Sequence, residues 1–352
     1  MHPIRIFVLV FCLVFFAPVV AGAEGSSQEM EQARQAMIEA LDKTGTPEDQ
    51  SDLLVLTNAG HTHLDGQSTV KFLDIAGNLS GCSKGQQNLL SVQSSPDEPI
   101  WGSVYRRDTN EMVFFQWKGG GFESQQIDAD PDKVLTRKGW QAVSDGLIGD
   151  NAFSVLSISL TWAVDPEWDL LNAATLHDHF CPGLNSGYIA GRFLMDNLPL
   201  KEDQEYVFAV APAMCAADAL QVMFNATPGK KDLFTMQTPG DILGSYEEEG
   251  VRPFLVAMRV HDNEDKTTGK VLGFDWEQVH QDTGVSQDEL RPEEGPKDPM
   301  FWVARAKMSR ELARMPVQEL QKYIVELHSF SGDAQMADKV TRGDPYSQAW
   351  NK

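Results

Sequence analysis

The chain has 352 residues, 42% of them hydrophobic, and a formal charge of −22. That apolar content supports real cores and excludes a disordered chain, and the length suggests about two domains. So acidic a surface repels phosphate backbones, which excludes nucleic acid as a partner and suits a soluble protein that mildly concentrates cations.

Arg5, the apolar run Ile6 to Val20 and the small residues Ala21-Gly22-Ala23 form a secretory signal pattern, predicting cleavage after residue 23 and a periplasmic or secreted product. The run is short for a stable membrane span, and no later segment is apolar enough to make one. Cys12 leaves with this segment, so Cys82, Cys181 and Cys215 remain. Three cysteines do not make a disulfide framework, although two of them could pair.

Residues 27–43 predict an amphipathic helix with Met30, Ala33, Met37 and Leu41 on one side. Leu53 to Leu56 reads as a buried strand, followed by His61-Thr62-His63 and a helical segment over 67–77. Ile100–Tyr105 and Met112–Trp117 read as strands around a polar turn. Leu170 to Leu176 then leads into His177-Asp178-His179-Phe180-Cys181-Pro182-Gly183. Gly183, Gly187 and Gly191 recur every fourth residue of a helix over 183–194. Glycine costs a helix about 1 kcal/mol against alanine, so the repetition predicts very close packing against another element. Tyr206–Ala211, Phe254–Val260 and Val271–Trp276 predict strands, and Ala216–Phe224 a helix. Asp288–Pro299 reads as a linker, Phe301–Met315 and Val317–Phe330 as helices, and the last twenty residues as loose.

Three short matches in the same order suggest an internal repeat. His61-Thr62-His63 matches His177-Asp178-His179, which sets Asp65 at Cys181. The stretch from Ser80 to Gly85 matches that from Asn225 to Lys230, which sets Cys82 at Thr227. The strand pair after Pro99 matches the one after Pro253.

In an extended segment alternate side chains share a face, so His177, His179 and Cys181 would converge. Pro182 places Cys181 at a helix N-cap, where backbone N–H groups and the helix dipole favour thiolate. Cys215 precedes a helix in the same way. This predicts a metal site of His177, His179, Cys181 and Cys215 for zinc or another transition metal, as the ion or within a small metal-containing ligand, with Asp178 supporting the ligands. Two other readings stay open. Cys181 could be an enzyme's nucleophile, with a histidine as base and Asp218 as orienter, acting on a small molecule in the cleft between the halves. The histidines and cysteines could instead be buried structural groups.

The ordered blocks Leu176-His177-Asp178-His179-Phe180-Cys181-Pro182-Gly183, Cys215-Ala216-Ala217-Asp218 and Thr227-Pro228-Gly229-Lys230 resemble the FmdE family, proteins associated with formylmethanofuran dehydrogenase. The resemblance spans roughly residues 166–276. It implies an α+β core domain that forms intertwined dimers, with histidine and cysteine side chains in a cleft. The expected organisation is therefore a signal peptide (1–23), a diverged FmdE-like domain (24–165), an FmdE-like domain (166–287), and a linker with a helical C-terminal extension (288–352). The tandem pair would be a pseudo-dimer within one chain, either monomeric or further paired as a homodimer.

Overall fold

Strand β1 (Leu53–Thr57) is buried along its whole length, as expected for an unbroken apolar run covered on both faces. In the computed structural model, which describes residues 28–261 and 263–350, β1 lies inside a five-stranded sheet. The expected signal segment and Cys12 fall outside the described residues. The other strands are β2 (Leu89–Ser91), β3 (Trp101–Arg106), β4 (Glu111–Trp117) and β5 (Phe122–Asp128), in the order β2-β1-β3-β4-β5. Only the β1–β2 pair is parallel.

A second sheet repeats this arrangement strand for strand. It contains β6 (Gln204–Val210), β7 (Leu233–Thr235), β8 (Pro253–His261), β9 (Lys266–Phe274) and β10 (Ile324–Gly332), in the order β7-β6-β8-β9-β10. Again only one pair, β6–β7, is parallel. The fold is α+β with two sheets in tandem.

Helices α1 (Gln28–Thr44) and α2 (Lys71–Ser80) cover one face of the first sheet, where Met30, Met37, Phe72 and Ala76 pack with Val55, Val104 and Phe115. The other face begins the largest core. Leu54, Tyr105 and Phe114 pack into a helical layer made by α3 (Arg137–Ser144), α4 (Ala152–Trp162), α5 (Trp168–His177), α6 (Pro182–Asn197), α7 (Ala216–Phe224) and α8 (Pro299–Arg314). Phe208, Val210 and Leu255 of the second sheet close that layer from the far side. The halves therefore share one apolar interior.

The aligned sheets change the expected repeat. Gly81 and Asn225 both end a helix in the left-handed conformation, and Ser83 and Thr227 both cap the single turn that follows. Cys82 therefore corresponds to Ala226 rather than to Thr227. Counted back from these caps, Lys71 stands at the position of Cys215. His61 and His63 follow β1, whereas His177 and His179 join α5 to α6, so the two histidine pairs are not equivalent.

Two expectations fail beyond residue 316. Val317–Phe330, expected as a helix, supplies a short turn and then β10, the fifth strand of the second sheet. Of the last twenty residues, expected to be loose, the described ones (333–350) are mostly helical. They form α9 (Gln335–Arg342) and α10 (Pro345–Trp350), which bury Val340 and Tyr346 on the outer face of the second sheet against Ala209, Val256 and Met258.

The glycine repeat performs as its spacing predicts. A Cβ on Gly187 would lie 2.3 Å from the Ala216 carbonyl oxygen, and one on Gly191 would lie 2.7 Å from Met223. Backbone cannot yield as a side-chain tip can, so Gly187→Ala is expected to destabilise the protein by about 1–3 kcal/mol in denaturant unfolding. Gly120→Ala, with open space at its Cβ, should change stability little. Equal effects would contradict this packing.

Candidate metal centre

The glycine contact carries the site. Cys181 is the N-cap of α6 and Cys215 the N-cap of α7, so bringing these helices together brings their first residues together. A Cβ on Gly183 would sit 3.2 Å from Cys215 Cβ, closer than ordinary van der Waals contact. The third member comes from the end of α5. His177 is its last residue, and Asp178 follows as a left-handed C-cap at φ 68°, a conformation that aspartate tolerates better than most residues. The turn swings the chain so that His177 and Cys181 converge four residues apart.

The ligand atoms of His177, Cys181 and Cys215 all lie within 4.8 Å of one another. Cys181 Sγ is 3.6 Å from His177 Nε2. That matches the edge of a tetrahedron built from metal–sulfur and metal–nitrogen bonds of about 2.3 and 2.1 Å. The other ring nitrogen, Nδ1, is 2.6 Å from Asp218 Oδ2 on α7. This carboxylate holds the proton on Nδ1 and turns the Nε2 lone pair toward the sulfurs, a common support for a metal-binding imidazole. All three cysteines among the described residues are free thiols. One nitrogen and two sulfurs suit a late transition ion and leave a fourth position open.

His179 stands apart from this trio. The left-handed turn at Asp178 breaks the alternation on which the extended reading depended. The His179 Nδ1 instead bonds the Asp178 carboxylate, and its ring packs between His177 and Phe153 at centroid distances of 4.3 and 4.8 Å. Asp178 thus supports His179 rather than a ligand of the trio, and Asp218 takes the supporting role. His61 and His63 lie outside the cluster, and Cys82 is buried against Leu53 O and Gln50.

The electrostatics follow from the geometry. The hydrogen bond from Cys181, helped by His177 and opposed by burial, pulls the Cys215 thiol down to about 4. Cys181 is pushed the other way by the Cys215 thiolate and by burial. It caps α6 by accepting the Leu184 N–H at 3.4 Å. Only 6% exposed, Cys181 is the more enclosed of the two thiols, and Cys215 is partly open.

Sequence reasoning missed Arg305 on α8. Burial pulls its guanidinium down, and the nearby Cys181 draws it back up. It is anchored by the Leu290 and Phe301 carbonyls, each 2.7 Å away. Its distance along the chain left no local signal.

A family model described as "FmdE, Molybdenum formylmethanofuran dehydrogenase operon" matches residues 176–322. This segment of the chain is FmdE-like. The match opens one residue before His177, takes in the trio, Asp218 and Arg305, and runs past residue 287 to include α8. No curated protein matches the chain.

Burial alone lowers the His177 imidazolium, but the Asp218 carboxylate and the Cys215 thiolate outweigh it and lift the group to about 9. Such a raised value stabilises the fold fully below the unfolded value of about 6.5, and the gain is lost as pH rises through about 9. In metal-free protein the His177 ring protons are therefore expected to titrate near 9 by NMR. A midpoint at or below 6.5 would contradict the Asp218 contact.

Proposed function

We propose that this is an exported, tandem FmdE-like protein that binds a transition-metal ion of the zinc type through His177, Cys181 and Cys215. The observation that carries the reading is the convergence of one imidazole nitrogen and two thiol sulfurs, with a carboxylate behind the imidazole. The two matched sheets support a pseudo-dimer in which one half keeps the ligand set and the other carries Lys71 in place of Cys215. The pattern at residues 1–23 supports export to the periplasm or beyond. No helix among the described residues is long and apolar enough to cross a membrane.

The donor set fits an ion that keeps an exchangeable fourth position. A bound ion there would act as a Lewis acid toward whatever occupies that position. The protein's part is to hold two sulfurs at helix N-termini, fix the His177 tautomer through Asp218, and set the Arg305 cation beside the thiolates. His179 is kept outside the ligand set in this reading. The alternative of a small-molecule enzyme shares this site, with Cys181, or its partner thiol Cys215, as nucleophile.

Elemental analysis of tag-free protein tests the assignment. One metal per chain is expected, lost in Cys181→Ser, Cys215→Ser and His177→Ala but retained in His179→Ala. Asp218→Asn should weaken affinity by about 10–100-fold. Metal that persists in either cysteine variant, or that disappears only with His179, would overturn the assignment.

A further inference from the structure

A cavity of about 1140 Å³ opens between the halves, beside the candidate metal centre and outside its ligand set. Its walls come from both halves of the chain. Trp101 and Gln116 belong to neighbouring strands of the first sheet and face each other in register. Trp140, Phe153 and Trp302 come from the helical layer, with the Phe153 ring tilted against those of Trp302 and Trp140 at centroid distances of 4.9 and 6.1 Å. His179 closes the end nearest the metal centre.

Three of these residues are largely buried yet carry polar groups with no protein partner, and those groups are reached by solvent rather than sealed from it. The Gln116 amide is 7% exposed, and Trp101 and Trp140 are 3% and 2% exposed. Neither the amide nor either indole N–H has a hydrogen-bond partner among the described residues, whereas the Trp302 N–H donates to Pro296 O at 2.9 Å. Water in the cavity satisfies such donors in the free protein, and an occupant must replace those bonds with its own acceptors. All three line the same cavity, so an occupant with acceptor atoms would satisfy them together. Charge narrows the class further. Glu98, Asp145, Asp150 and Asp178 line the cavity against a single cation, Lys297, a balance that disfavours phosphates and carboxylates.

We infer that this cavity binds a flat, uncharged or cationic heterocycle bearing carbonyl or ring-nitrogen acceptors. The aromatic walls stack on its faces, and the Gln116 amide with the two indole N–H groups reads its edge. The inference goes beyond metal binding and does not depend on it.

Riboflavin and its 5′-phosphate form a matched probe pair, with the same flat ring carbonyls and a difference of one phosphate. Calorimetry on the whole protein is expected to show saturable riboflavin binding, with the phosphate ester at least tenfold weaker. Gln116→Met and Trp140→Phe should each weaken riboflavin at least threefold, the near-isosteric Gln116→Met with its thermal midpoint unchanged. Asp150→Asn should narrow the gap between the probes by strengthening the phosphate ester. Cys181→Ser, which removes the metal, should leave riboflavin binding intact, so the two assignments fail separately. No saturable riboflavin binding, equal affinity for the ester, or unchanged binding in both cavity variants would overturn the inference.

Discussion

The rest of the site depends on how closely α6 can approach α7. Gly183, Gly187 and Gly191 remove the Cβ atoms from one stripe of α6, and the Cys215 side chain, the Ala216 backbone and the Met223 side chain occupy the space they leave. Interiors pack near crystalline density, so a methyl group at Gly187 must displace backbone. Because each helix opens on a cysteine, the same contact that builds the core also fixes the separation of Cys181 and Cys215. The cost of three helical glycines is offset by placing two thiols and two helix dipoles at one point.

The matched sheets give the pair of halves a second meaning. Both halves set two helices on the same face of an identically ordered sheet. In the second half, the helix following the first strand opens on Cys215. In the first half, the corresponding helix carries Lys71 at that position. The sheet order is common to both halves where the residue at this position is not. The second half gains α8, which inserts Arg305 and Ser309 into the shared layer and carries Trp302 to the cavity wall.

Much of this was legible in the sequence because it rests on local pattern. The four-residue glycine period, the N-cap position of Cys181 before Pro182 and the buried strand at Leu53 each express one helix or strand preference. What failed required a break in a pattern. His177 to Cys181 reads as extended only if Asp178 is extended, and its left-handed turn sends His179 away from the trio. An aspartate directly after a helical run was the available signal, since it is a residue that tolerates that turn. Strand β10 failed for a related reason. A register shift in its pairing with β9 spaces the buried residues Ile324 and Leu327 three apart, which mimics a helix. Asp218 and Arg305 are joined to the site only by tertiary packing, which no local pattern reports.

The central claim is that one imidazole and two thiolates hold a single ion at the meeting of α5, α6 and α7. X-ray absorption at the edge of the metal that copurifies tests it directly. The account predicts two sulfur scatterers near 2.3 Å, one imidazole nitrogen near 2.1 Å and a light, exchangeable fourth ligand. A first shell without sulfur, or one containing two imidazoles, would contradict it.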